Sequence, residues 1–215
     1  MTAAARATLD HLVVAADTLE QGEEHLEALL GVQPQRGGRH VAMGTHNSLV
    51  QLGPRCFLEV IAIDPDAAAP ARPRWFDLDR PAMRALLAQS PRLIHWAART
   101  EDIEASRRAC PIDPGPMHPM ARGSFRWRIT VPDDGHRPGD GVLPTLIQWD
   151  DARHPADELT DTGLRIASLA AAHPEPAAVR ASLASLGLSE TLKVTFAAAP
   201  RLAAMLSTPR GNVTL

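Results

Sequence analysis

The feature that most constrains this chain is an internal duplication. The segment "LIHWAARTED" (93–102) lies under "LDHLVVAADT" (9–18), so that Leu93 falls under Leu9 and His95 under His11. "GSFRWRIT" (123–130) then lies under "GTHNSLVQ" (44–51), and "LIQW" (146–149) under "FLEV" (57–60), the offset drifting by a few residues as loop insertions make it do. Repeats of this length are supersecondary units that bury a common core by stacking on one another, so the local pattern needs reading only once. In the first copy Leu9, Leu12, Val13 and Val14 form an apolar strand interrupted by one histidine. Asp17 and Glu20 give a capping-box spacing, Leu19, Leu26, Leu29 and Leu30 recur at helical period, and Gly31 closes the run. "RHVAMGTHNSLVQLG" and "CFLEVIAID" follow as strand-type runs punctuated by Gly44 and Gly53-Pro54.

The unit is therefore βαβββ and the chain is of the α+β class. The first module spans 1–64 and the second 92–151, joined over 65–91 by the Pro- and Ala-rich "DPDAAAPARPRW" and a short helix around "RPAMRALLAQS". In 152–215 an apolar strand and a helix ending at Gly187 return, followed by short strand segments, which predicts a partial third βαβββ extension. Matched by its helix, this copy has Ala167 opposite His11 and so no equivalent histidine.

Composition narrows the partners. With 215 residues, 45% hydrophobic and 22% charged, the chain buries a full core. A net charge of −3 provides no basic field for nucleic acid. No apolar run reaches the length of a signal peptide or a membrane span, which predicts a cytoplasmic protein with no membrane partner. Cys56 and Cys110 have neither disulfide-framework nor metal-site spacing and read as reduced structural thiols.

Paired βαβββ modules with His on the first strand and Glu on the last resemble the vicinal oxygen chelate superfamily, which includes glyoxalase I, methylmalonyl-CoA epimerase, extradiol dioxygenases and fosfomycin-resistance enzymes. "LDHLVVAADTLEQG…LGVQP…GGRHVAMGTHNSLVQLG…FLEVIAIDP" is especially similar to a bacterial glyoxalase-like domain family. The resemblance is strong over about the first 150 residues and loose beyond. It implies one metal ligand from the first and last strand of each module: His11, Glu59, His95 and Gln148, completed by water around one divalent ion, Zn, Ni, Co, Mn or Fe. Strand alternation is consistent with that set, because His11 shares a face with Val13 and Ala15, Glu59 with Phe57 and Ile61, His95 with Ala97, and Gln148 with Leu146. An unpaired carboxylate among such neighbours costs several kcal/mol, a cost that a cation removes.

The chemistry so implied is lyase, isomerase or epimerase turnover of a small vicinal-oxygen substrate through a metal-stabilised enediolate, with Glu59 as the proton base. Gln148 cannot take a proton, so the two-carboxylate arrangement of glyoxalase I is missing. Two alternatives stand beside this reading: a metal-free binding protein of the bleomycin-resistance type, and an extradiol-type dioxygenase using His11, His95 and Glu59. For substrate binding, "FRWRIT" offers Arg126 and Arg128 on one strand face, and His46 and Asn47 stand at the repeat-equivalent positions of Phe125 and Arg126. The Pro-rich "CPIDPGPMHPMARG" (110–123) offers a lid, "RHPADE" (153–158) reads as solvated, and a homodimer is compatible with how such modules assemble.

Overall fold

The structure, a computed structural model, describes residues 6–215. The first module runs β1 (Thr8–Ala15), α1 (Leu19–Leu30), β2 (Gln35–His40), β3 (Thr45–Gly53) and β4 (Cys56–Ile63). Capping fixes α1 at both ends, although its N-terminal box sits one residue later than the spacing predicts. Thr18 accepts from the Gln21 N–H at 3.1 Å, and the Gln21 side chain accepts from the Asp17 N–H, also at 3.1 Å. Gly31 ends the helix at φ 71°, a left-handed conformation that glycine adopts without steric cost. Gly22 faces Val60 of β4 and Ala16 so closely that any side chain there would overlap them, which lets α1 lie flat on the sheet.

The short α2 (Pro81–Leu87) precedes the second module: β5 (Arg92–Arg99), α3 (Ile103–Ala109), β6 (Met117–Arg122), β7 (Phe125–Thr130) and β8 (Thr145–Trp149). The Pro-rich stretch read as a lid thus ends in β6, which pairs along its length with β7. All eight strands form one sheet in the order β2-β3-β4-β1-β5-β8-β7-β6. In each module the first strand pairs in parallel with the last, and an antiparallel β1–β5 ladder joins the two. The sheet curls until its edges meet, for Arg122 on β6 lies directly over Gly37 and Gly38 of β2.

The remaining chain forms β9 (Arg165–His173), α4 (Pro176–Ser185), β10 (Lys193–Phe196), β11 (Arg201–Thr208) and β12 (Gly211–Thr214). All five elements of a βαβββ unit are present, but the pairing differs from that of the modules. β9 is parallel to β10, the strand that directly follows its helix, and the order is β10-β9-β11-β12.

Strand alternation sorts the side chains into two cores. Leu12, Val14, Leu58 and Val60 face α1 and share a core with Leu169, Val179, Leu183 and Leu206 of the C-terminal unit. Val13, Ala15, Ile61, Ala97, Ile129 and Ile147 line the concave face. At about 25 cal/mol per Å2 of apolar surface, each fully buried Leu or Val contributes roughly 1.5–3 kcal/mol. These layers, rather than any single polar contact, therefore hold the site in place. Among the described residues no helix is long and apolar enough to cross a membrane.

Candidate active site

The site begins with two neighbours on β1. The β1–β5 ladder shifts register between Leu9 and His11, which breaks the strict alternation there and lets Asp10 and His11 meet. Asp10 is fully buried, and its carboxylate accepts from His11 Nδ1 at 2.6 Å, His154 Nε2 at 3.1 Å and Trp149 Nε1 at 3.0 Å. Burial alone would raise its pKa, but the hydrogen bonds and charges of His11 and His154 outweigh burial and hold the carboxyl well below the usual carboxylate range. His154 Nδ1 accepts from the Ala156 N–H at 3.2 Å, so its proton sits on Nε2. By the same assignment His11 donates from Nδ1, and in the neutral ring Nε2 is the acceptor nitrogen. The His11 ring stacks on Phe57 with centroids 4.5 Å apart.

That nitrogen faces Glu59, whose Oε2 is 3.8 Å from His11 Nε2. Glu59 is buried, and its Oε1 accepts from Asn47 Nδ2 at 2.5 Å. Asn47 is in turn oriented by the Gly38 N–H, which donates to its Oδ1 at 3.0 Å. The two acceptors, an imidazole nitrogen and a carboxylate oxygen, thus face each other across a gap too long for a hydrogen bond.

Both open onto a small cavity, about 360 Å3 when the open space at its mouth is counted. Its walls are aromatic: Phe57, Trp75, Phe76, Trp127 and Trp149. Trp75 and Phe76 come from the Pro-rich segment between the modules, with Phe76 at φ 61° and Asp77 at φ 62°. Asp77 is anchored by Arg137 at 2.8 Å and Arg80 at 2.7 Å. The segment read as a linker is therefore the roof of the site. His40 also lines the cavity, edge-on to Trp75 and Trp127, and burial holds its pKa well below the usual imidazole value. Arg122 closes the mouth, where the cavity adjoins an open cleft of about 890 Å3 between β2 and the β6–β7 hairpin.

The other expected ligands do not join this pair. His95 stands two strand positions further along, opposite Val13, whereas His11 faces Ala97; at about 3.4 Å per residue this is an offset of roughly 7 Å. Both its nitrogens are engaged in the core. Nε2 accepts from the Thr145 N–H at 3.1 Å and lies 2.9 Å from Thr145 Oγ1, while Nδ1 faces the Gly141 carbonyl at 3.4 Å. Burial pushes its pKa down to about 3, a neutral ring at any ordinary pH. Gln148 lies on the other face of β8, where its Oε1 accepts from the Ile103 N–H at 3.0 Å and its Nε2 donates to the Glu101 carbonyl at 2.7 Å. It steadies the start of α3 and does not reach the cavity.

The ladders explain this difference. Val13 pairs with Glu59 in the first module and Ala97 with Thr145 in the second, so the counterpart of Glu59 is Thr145 rather than Gln148. A His–Thr hydrogen bond thus replaces the His–Glu pair. Among the described residues no group of three His, Cys, Asp or Glu side chains is placed to hold a metal ion. The donor set implied by the resemblance does not fit one, because two of its four members are spent on core and helix contacts.

Of the expected substrate-binding residues, Asn47 enters the site as the support of Glu59. His46 lies on the α1 face of β3 with Ser48, which donates to Glu23. Arg126 donates to the carbonyls of Gly123 and Phe125, and Arg128 lies 3.6 Å from Asp150; both are on the face of β7 opposite Trp127. The guanidinium at the cavity comes instead from Arg122, on the neighbouring strand. Asp10, His154, Trp75 and Arg122 all escape the sequence reading. The one signal that could have found any of them is the Asp10-His11 dipeptide, since a carboxylate beside a strand histidine can fix its tautomer. His154 sits in the stretch read as solvated, yet it is fully buried.

A family profile for the glyoxalase-like domain matches residues 9–187. No curated protein matches the chain. Among solved structures, a hypothetical protein from Staphylococcus aureus superposes with a TM-score of 0.64 at 11% identity, covering 91% of this chain and 88% of its own. Methylmalonyl-CoA epimerase from Mycobacterium tuberculosis follows at 0.43 and 18%, covering 71% of this chain and 94% of its own. A single-substitution variant of the Streptomyces coelicolor epimerase, in complex with 2-nitronate-propionyl-CoA, gives 0.43 and 20%, with coverages of 70% and 99%. The chain belongs to the glyoxalase-like domain family, within the vicinal oxygen chelate superfamily.

Proposed function

We propose that the chain is an acid–base enzyme of lyase, isomerase or epimerase type, acting on a small substrate with adjacent oxygens. One observation carries this reading: Asp10 fixes His11 so that its Nε2 lone pair opens on the cavity 3.8 Å from the Glu59 carboxylate. Two acceptors side by side, each oriented from behind, create a demand for a proton that a substrate C–H or O–H meets. In the proposed step Glu59 takes the proton from the carbon next to a carbonyl. The C–H bond breaks, an O–H bond forms on the carboxyl, and the electron pair moves onto the carbonyl oxygen as an enolate. His11 Nε2 takes that proton from the Glu59 carboxyl 3.8 Å away, exchanging it with solvent at the open mouth, and returns a proton to the same carbon, which leaves both groups as they began. The aromatic walls exclude water that would otherwise quench the enolate. No step is routed through a metal, since the donor set does not assemble around one.

The test is exchange of carbon-bound hydrogen for deuterium in D2O, followed by NMR over a panel of 2-oxo acids, 2-hydroxy acids and hydroxy-ketones. At least one compound should exchange with wild type, and the rate should fall about a hundredfold or more in Glu59→Gln and His11→Ala. The aromatic cavity, in which Trp75 and Trp127 leave their indole N–H groups without partners, favours a second reading, ligand sequestration without turnover. Binding with no exchange in wild type would establish that one in place of the first.

A further inference from the structure

We propose that Arg122 makes this cavity selective for small organic acids, docking a substrate carboxylate at its mouth so that the carbon bearing the acidic hydrogen, next to the 2-oxo group in a 2-oxo acid, lies towards His11 and Glu59. This deepens the proton-transfer reading and rests on it only in taking the cavity as the substrate site.

Arg122 is the last residue of β6 and is 9% exposed. The other guanidinia near the site are paired: Arg36 with Glu20 and Glu23, Arg39 with Asp64 and Asp66, and Arg137 with Asp77. Arg122 has no hydrogen-bonded or ion-paired partner among the described residues. Burial draws its pKa down, and only the more distant charges of Glu59 and Glu158 oppose that. A largely buried cation without a counter-ion, at the edge of an open cleft, is stabilised by an anionic ligand that reaches it.

The backbone around it has the shape of a mount for this side chain. Across the mouth, a Cβ on Gly37 would stand 3.2 Å from Arg122 Nη1, and one on Gly38 would stand 3.0 Å from its Cγ. Two glycines therefore leave room for the stem and confine the guanidinium to the neck between cleft and cavity.

Two further donors are unspent. Trp75 and Trp127 line the same cavity, are 3% and 4% exposed, and each has a buried indole Nε1 without a partner. A guanidinium without a counter-ion at the mouth, above walls that hold two unpartnered indole N–H groups, favours an acceptor-bearing ligand. A carboxylate meets a guanidinium in bidentate geometry, which places its substituent in a defined direction. The cavity is small and closed on most sides by aromatic rings, which suits a compact acid and not a large one. The aromatic walls then pack its apolar or aryl body. A 2-oxo or 2-hydroxy acid satisfies all of these demands.

The experiment is calorimetric titration of wild type, Arg122→Met, Arg122→Lys and His11→Ala with pyruvate, phenylpyruvate and mandelate, and with their methyl esters, alongside melting curves and the deuterium-exchange assay. At least one acid should bind wild type about tenfold or more tightly than its ester. Arg122→Met should abolish that preference, Arg122→Lys should restore part of it, and His11→Ala should keep it. Arg122→Met should also melt at a higher temperature, because it removes an unpaired buried charge. The proposal is overturned if acids and esters bind wild type equally, if no acid binds, if Arg122→Met keeps the preference, or if that variant melts lower. Arg122-dependent acid binding without exchange leaves this inference standing and sinks the proton-transfer reading. Exchange on neutral hydroxy-ketones that Arg122→Met leaves unchanged does the reverse.

Discussion

Replacing Asp10 with Asn is the most informative perturbation of the site. The carboxylate accepts three hydrogen bonds, two of them on Oδ2 from His154 and Trp149 and one on Oδ1 from His11. An amide has one acceptor oxygen. Kept at the Oδ2 position, it holds His154 and Trp149 and turns its NH2 towards His11 Nδ1. His11 Nδ1 must then accept, so its proton moves to Nε2, on the cavity side facing Glu59. Charge-assisted bonds contribute about 1 kcal/mol more each than neutral ones, so about 3 kcal/mol is at stake. Relief from burying a charge offsets part of it. The net loss should be about 1–3 kcal/mol, or roughly 2–12 °C in Tm for a domain of this size. Asp10→Ala leaves two buried donors, His11 and His154, and the half-buried Trp149 N–H unmatched; at about 1–3 kcal/mol for each buried donor it should lose about 2–6 kcal/mol or more. Urea denaturation measures both losses, and 15N NMR of the imidazole nitrogens identifies the tautomer. Deuterium exchange should collapse in Asp10→Asn while ligand binding persists. An Nε2-protonated His11 in wild type, or an Asp10→Ala no less stable than Asp10→Asn, would refute the reasoning.

Three further outcomes follow from particular contacts. His95 has a folded pKa of about 3 against an ordinary 6.5, and His40 is depressed in the same sense. The unfolded chain therefore binds protons that the folded chain does not, so stability should rise with pH between about 3 and 6.5 and fall as acid is added, by up to about 1.4 kcal/mol per pH unit for each ring. His95→Leu should flatten that slope in urea melts at pH 7.0, 5.5 and 4.5, even though it loses the bonds to Thr145; an unchanged slope would mean that His95 is not neutral in the fold. Gly37→Ala places a methyl group on Asn47 Oδ1, so it should cost about 1–3 kcal/mol and displace Glu59 from its support. Its exchange rate should drop further than that of an exposed Glu24→Ala control on α1. Burial pushes the Cys56 thiol up to about 12, so a thiol reagent at pH 8 should leave it unmodified until the protein unfolds.

The sequence by itself determined the duplication, the βαβββ order of both modules, the α1 helix with its Gly31 stop, and the face on which His11 and Glu59 lie. Each of these depends on local periodicity or turn chemistry, which neighbouring residues encode. Which residues of the second module stand opposite that pair was decided by pairing between strands. Aligning "LIQW" with "FLEV" set Gln148 against Glu59, while the β5–β8 ladder sets Thr145 there, three residues away. Because side chains alternate along a strand, an odd slip moves a residue to the opposite face, so Gln148 holds α3 while Ile147 and Trp149 face the cavity. The contributions of His154 to the Asp10 network, of Trp75 and Phe76 to the roof and of Arg122 to the mouth depend on approaches between segments far apart in the chain. No local pattern records such approaches, because they arise only when the sheet curls and its edges meet.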